Sequence, residues 1–252
     1  MKNIFALLFI TIFLFACSSS IDTVNMTPEE KLTYAMSLYQ EEDYEEAVKE
    51  FESIIIQYPG SSIIDDAEYY LAMTRFNRRE YILAAYQFSK LIKSMPSSDF
   101  VQDAQFMLGD CYYQLSPDFP LDQQYTKKAV EEFQAFIDFF PLNTKVADAE
   151  VKIKELNDKL ARKEYEAARI YDKMEYYTAA IKYYDTVTEV YHDTKYAPMA
   201  LFNKINILVG RDRETEALTE SEKFLEKYPE DKNFSDVKKI KESLESKLSV
   251  NP

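Results

Sequence analysis

The sequence predicts an all-α fold, a solenoid of about five helix-turn-helix repeats in two halves joined by a long helix. Three observations point to it. Small, aromatic and proline marks recur along the chain at near-constant spacing. The 252 residues contain only 3 Gly, too few for the many tight turns of a β-sandwich or barrel. From Lys145 to Met174 there is neither Gly nor Pro, which is room for one helix of about 40 Å at 1.5 Å per residue.

In chain order, residues 1–16 read as a cleaved export signal. Lys2 supplies a positive start, and Ile4 to Phe15 is an apolar run broken only by Thr11. That run is shorter than the ~20 residues a spanning helix needs. It ends in Leu14-Phe15-Ala16-Cys17, followed by three serines, the order of a bacterial lipobox, in which the cysteine is acylated and becomes the N-terminus. An ordinary secretory signal that contains a cysteine is the plainer alternative. Acylation at Cys17 would make residues 17–27 a lipidated tether, because two or more acyl chains anchor stably where one does not. Ser18 is not the Asp that retains enteric lipoproteins at the inner membrane, so the expected location is the periplasmic face of the outer membrane. With Cys17 acylated, Cys111 is left without a partner and is expected to be buried as packing.

Thr27-Pro28-Glu29-Glu30 has the form of a capping box that opens the first helix. Five tracts then overlay. They run Ala35, Ala47, Phe51, Pro59; Ala72, Ala84, Phe88, Pro96; Gly109, Ala129, Phe133, Pro141; Ala168, Ala180, Tyr184, His192; and Ala217, Ser221, Pro229. Ala67, Ala104, Ala149, Ala200 and Val237 add a further mark beyond each corner. A-x₃-F-x₇-P with a small residue twelve positions earlier is the tetratricopeptide (TPR) frame. The small residues let paired helices approach to about 8–10 Å, and proline after a helix stops its continuation. Residues 28–145 are expected to hold repeats one to three. Residues 146–248 are expected to hold repeats four and five with a final helix.

The spacing departs twice. Leu115 to Tyr125 lengthens the turn within repeat three and reads either as a docking segment or as a tolerated insertion. Lys145 to Met174 reads as the long joining helix, unless Asn157-Asp158 breaks it. On the first helix of each repeat, residues at equal phase are Leu32, Tyr69 and Phe106, then Tyr39, Phe76 and Tyr113, with Met36 and Met73 between the rows. Such a row suits an extended apolar peptide, since Met adapts and aromatic rings offer area at small entropic cost. The alternative is a core between repeats, and the phase of the first helices decides. Arg169 and Asp172 stand at the matching places of repeat four, so a more polar contact is expected there.

No catalytic constellation emerges. The chain has one His, His192, and its glycines are too scattered for a phosphate loop. The formal charge of −14 argues against nucleic acid. Lys152, Lys154, Lys159, Arg162 and Lys163, interspersed with acids, read as a solvated helix face.

Several local sequences go further than the repeat frame. They are the lipobox at Cys17, Tyr58-Pro59-Gly60-Ser61 before Ala67, Leu160-Ala161-Arg162-Lys163-Glu164-Tyr165, then Ala168, Tyr171 and Tyr177-Thr178-Ala179-Ala180. In this combination the chain resembles the BamD (YfiO/ComL) family, TPR lipoproteins of the outer-membrane β-barrel assembly machinery. Tyr191-His192-Asp193-Thr194 departs from that family's Tyr-Pro-Asp-Thr. The resemblance implies a non-catalytic scaffold that needs no metal or cofactor beyond its covalent lipid. It implies binding to the POTRA region of BamA through the C-terminal repeats, with His192, Asp193, Thr194, Lys195 and Tyr196 in the facing region. It also implies recognition of the C-terminal signal of unfolded outer-membrane barrel proteins by the N-terminal repeats. A different class of reading is a periplasmic TPR adaptor for envelope or division complexes, similar to the Tol-Pal coordinator, although no heptad run precedes residue 28. A glycan-capturing lipoprotein resembling SusD would use Trp to stack sugars, and this chain has none.

Overall fold

Helix formation starts at the expected cap. The Thr27 hydroxyl accepts from the Glu30 amide (3.2 Å) and the Glu30 carboxylate accepts from the Thr27 amide (2.9 Å), with Pro28 at the first helical position. The computed structural model describes residues 25–250. The export signal, the acylation site at Cys17 and the tether up to residue 24 lie outside the described residues.

Among the described residues there are eleven α-helices and no strand. They are α1 (Pro28–Gln40), α2 (Tyr44–Gln57), α3 (Ile64–Asn77), α4 (Tyr81–Ser94), α5 (Val101–Leu115), α6 (Gln124–Phe139), α7 (Val146–Lys173), α8 (Tyr177–Val190), α9 (Tyr196–Gly210), α10 (Glu214–Lys227) and α11 (Phe234–Val250). Each packs chiefly on its neighbours in sequence, as a stacked TPR solenoid requires. The repeat marks form the core. Ala35, Ala47, Ala67, Ala84, Ala104, Ala129, Ala149, Ala168, Ala180, Ala200, Ala217 and Val237 are completely buried, as are Phe51, Phe88, Phe133 and Tyr184. In repeat five the buried Ser221 hydroxyl turns back onto the Ala217 carbonyl (2.7 Å), so a small polar residue satisfies itself where an aromatic was missing.

The turns inside repeats one, two, four and five share a geometry. Glu42, Arg79, Glu175 and Asp212 adopt left-handed φ of 56–63°. The amides of the next residues, Asp43, Glu80, Tyr176 and Arg213, reach back to the carbonyls of Leu38, Arg75, Tyr171 and Leu208. This six-to-one bond closes each helix as glycine-ended helices do, yet without glycine. Repeat three lacks the turn and uses residues 116–123 instead.

The long helix is continuous. α7 runs 28 residues through Asn157 and Asp158. Its first part, Ala149 and Leu156, packs with Phe106, Phe133 and Phe136 of repeat three. Its second part, Ala161, Tyr165 and Ala168, packs with Ala180, Tyr184 and Val187 of repeat four. Cys111 is free and fully buried, and burial pushes its thiol up from the usual range.

Candidate functional site

The eight side chains of the aromatic row are partly core and partly surface. Leu32, Met36 and Tyr39 of α1 are half-buried against the first core cluster, and Tyr69, Met73 and Phe76 of α3 against the next. Adjacent first helices touch through these residues. The Tyr39 ring meets Tyr70 edge-on at 5.5 Å, and its hydroxyl accepts from Asn77 (3.2 Å). Tyr69 stacks on Phe100 at 4.5 Å, and Phe76 lies edge-on to Tyr81 at 5.3 Å. Phe106 is only 8% exposed, wedged between Phe133 and Phe136, and belongs to the core between repeats. Tyr113 is half-buried. Its hydroxyl donates to Glu155 (2.5 Å), Lys152 lies 4.1 Å above its ring, and that hydrogen bond raises its pKa to about 12. The row is therefore exposed along its edges in repeats one and two and closes toward repeat three.

The C-terminal half presents a different surface. A cavity of about 280 Å³ between α7, α8 and α9 is lined by Asp172, Tyr177, Asn203, Asn206, Ile207 and Arg211. Asn203 donates to the Tyr165 hydroxyl (3.0 Å) and the Tyr184 hydroxyl (3.3 Å), while Arg211 lies 5.1 Å from the Tyr177 ring. At the corner between repeats four and five, His192, Asp193 and Lys195 are exposed. Thr194 is buried and its hydroxyl donates to the Tyr191 carbonyl (2.7 Å), so it braces the turn. Tyr196 is half-buried with its ring 5.6 Å from Tyr165.

Loop 116–123 docks on the long helix of its own chain. Lys159 donates to the Ser116 hydroxyl (2.7 Å), Lys163 to the Leu121 carbonyl (2.5 Å), and the Arg162 guanidinium lies 4.0 Å from the Phe119 ring. Buried Gln123 donates to the carbonyls of Asp118 and Leu121 and accepts from Thr126. Lys152 pairs with Asp110 (2.5 Å). Much of the basic cluster is thus engaged with repeat three, and the solvated face expected of it holds at the exposed Lys154 and Arg162.

Sequence reasoning also missed two buried charges. Lys31 donates to Ser53 (2.6 Å) and Gln57 (3.0 Å) and faces Glu50, and Glu68 pairs with Lys90 across α3 and α4. Their sequence signal is a polar residue that recurs at one phase, Lys31, Glu68 and Gln105, each just before Leu32, Tyr69 and Phe106. Among the described residues no group of His, Cys, Asp or Glu is arranged to hold a metal ion, and no helix is long and apolar enough to cross a membrane.

Helical hairpins stacked on shared small residues, with an aromatic-edged half and a polar half, define a TPR scaffold. Residues 24–211 match the YfiO family, described as outer membrane lipoprotein, and the chain belongs to that family. It is similar to the outer membrane protein assembly factor BamD of Rickettsia prowazekii, 28% identical over 207 residues that cover 81% of this chain and 82% of the relative. It is also similar to the assembly factor BamD of Caulobacter vibrioides, 31% identical over 106 residues, 41% of this chain and 35% of that one. Among solved structures, the TPR2AB domain of yeast Sti1 in its pHSP90 complex shares 16% identity over 88% of this chain and 84% of that one, with a TM-score of 0.43. The TPR domain of P58(IPK) shares 16% identity over 88% of this chain and 56% of that one, with a TM-score of 0.44.

Proposed function

We propose that this chain is a non-catalytic assembly factor for outer membrane proteins, held at the periplasmic face of the outer membrane by acyl chains on Cys17. Its N-terminal half takes up the apolar C-terminal signal of an unfolded barrel protein, and its C-terminal half, with the corner His192 to Tyr196, holds the POTRA region of BamA. Membership of the YfiO family and the assembly-factor relatives support the general role. The observation that carries the peptide reading is the line of half-buried Leu32, Met36, Tyr39, Tyr69, Met73 and Phe76 on α1 and α3. A side chain so placed offers an apolar edge to a ligand while its other faces keep it in position. Such pre-ordering lowers the entropic cost of binding. An extended strand laid along the two helices would meet these edges in series.

The test is photo-crosslinking of a peptide ending in an aromatic residue to the purified chain. Tyr39→Ala with Phe76→Ala is expected to lower the crosslinking yield roughly tenfold, about 1.4 kcal/mol, a modest share of what two aromatic anchors contribute. An unchanged yield, with helical content intact, would rule the row out as the peptide site. For the C-terminal half, His192→Ala with Lys195→Ala is expected to weaken recovery of BamA with the native lipoprotein. Recovery of Tol components instead would favour the envelope-adaptor reading.

A further inference from the structure

The N-terminal half has two edges, one made of the turns inside repeats and the other of the corners between them. The corner edge begins where the chain enters the fold. The Tyr58 hydroxyl donates to the Met26 carbonyl (3.1 Å), and the Ser98 hydroxyl to the Asp65 carboxylate (2.8 Å). Asn143 donates to Gln102 (2.9 Å) and Lys145 to Asp103 (2.7 Å). Each corner thus touches the start of the preceding first helix, and segments 57–63, 93–100 and 138–145 line up from residue 26 onward. Three large apolar side chains project at this edge: Ile56 (77% exposed), Phe139 (73%) and Leu142 (97%). The three corner segments carry only Lys93, Asp99, Asp138 and Lys145 as charges, two of each sign, in a chain of formal charge −14.

We propose that this corner edge is a lipid-contact surface, lying against the headgroup layer with Ile56, Phe139 and Leu142 dipping into the interface. The inference rests on the acylated Cys17 of the proposed function. Seven residues separate Cys17 from Asn25, eight residue steps, so the entry point stays within about 29 Å of the acylated residue even at full extension. The edge that starts at the entry point is held nearest the bilayer. Asp65 and Asp103, which the corners touch, leave the edge net acidic, so the tether and the apolar side chains rather than charge must hold it against the bilayer. Exposed Ile, Phe and Leu bind an interface in proportion to the apolar area they bury there. The first turn of the opposite edge, Glu41-Glu42-Asp43 followed by Glu45 and Glu46, is poorly suited to the same surface.

The chain contains no Trp, so single substitutions report cleanly. Leu142→Trp, Ile56→Trp and, as a reference at the opposite edge, Ile82→Trp are made in the full acylated protein. Each is reconstituted into phosphatidylethanolamine–phosphatidylglycerol vesicles with lipids brominated near the glycerol end of their acyl chains. Emission from positions 142 and 56 is expected to shift to shorter wavelength and fall about twofold or more relative to unbrominated vesicles, with position 82 little changed. Amide exchange at 139–144 in the unsubstituted chain, slowed on vesicles, reads the same contact without a substitution. Vesicle-bound protein quenched no more at 142 and 56 than at 82 overturns the proposal while the anchor stands. A chain that fails to float with vesicles and has the mass of an unacylated polypeptide overturns the anchor, and the proposal with it. A shift at 142 that needs an added protein and shows no quenching by brominated lipid gives the edge to a polypeptide partner, which also overturns it.

Discussion

Gly109 stands where repeats one, two and four carry alanine, and replacing it by alanine tests how the third repeat is packed. In an exposed helix interior, Gly→Ala gains about 1 kcal/mol. Here an ideal Cβ on Gly109 would lie 2.8 Å from Cδ1 and 2.9 Å from Cε1 of Phe133. That ring is completely buried and has no free end to swing aside, with Phe106 at 5.5 Å and Tyr113 at 6.5 Å. Overpacking of this kind costs about 1–3 kcal/mol, so the net effect of Gly109→Ala is a loss of about 0–2 kcal/mol. The assay is thermal unfolding of the mature chain, followed by circular dichroism, in a double-mutant cycle with Phe133→Leu. Leucine vacates the space occupied by the outer ring atoms, so in that background Gly109→Ala should recover its helical gain. The expected coupling is about 1–3 kcal/mol. If Gly109→Ala raises stability equally in both backgrounds, close approach of α5 and α6 is not what requires glycine at this position.

Three further expectations can be checked with the same purified chain. Asp212→Gly should stabilise by about 0.5–1 kcal/mol in urea unfolding, because Asp212 holds a left-handed φ of 56° that costs a side-chain-bearing residue about that much. Lys90→Ala should destabilise by about 2–4 kcal/mol by leaving Glu68 buried without its partner, and adding Glu68→Gln should restore most of the loss. Alkaline stability should fall between pH 10 and pH 12. Tyr184 is raised to about 12 by burial, and Tyr113 to about 12 chiefly by its bond to Glu155. A folded pKa above the unfolded one stabilises below pH 10, and that contribution disappears as pH rises through the folded value. Tyr184→Phe should flatten this decline, read as melting temperature against pH.

The fold was readable from the sequence because its information is repeated. Ala47, Ala84, Ala129, Ala180 and Ala217 each report the same close helix contact, so one irregular tract, such as Ser221 in place of an aromatic, does not obscure the frame. The joining helix was readable for the opposite reason, since 145–174 holds neither Gly nor Pro, and Asn157-Asp158, the one candidate break, is helical. The closing turns were not. Left-handed positions normally announce themselves by glycine, and here Glu42, Arg79, Glu175 and Asp212 adopt that geometry because flanking helices over-determine it. The aromatic row was only half readable. Phase identified which residues share a line, but depth depends on how tightly the next repeat closes. Phe106 is covered by Phe133 and Phe136, whereas Tyr39 and Phe76 keep an edge in solvent.

The long helix explains how two surfaces on a nearest-neighbour stack can act as one object. In such a stack, distant repeats communicate only through the units between them. α7 belongs to both halves, and the contacts that it and its N-cap Lys145 make with repeat three recur along one side: Lys145 to Asp103, Lys152 to Asp110, Glu155 to Tyr113, Lys159 to Ser116 and Lys163 to Leu121. Its contacts with repeat four begin at Ala161 and continue through Tyr165 and Ala168. The two sets overlap at residues 159–163, so no turn of the helix is held by neither half. Loop 116–123, the one departure from regular spacing inside a repeat, supplies the last two of those contacts. A regular turn at that position would leave the middle of α7 without them, held there only by Leu156 and Ala161 in the two cores, the Tyr113–Glu155 bond and the Lys195–Asp158 pair. The extra residues of repeat three therefore act as a splint, fixing the orientation of the apolar-edged half relative to the polar half.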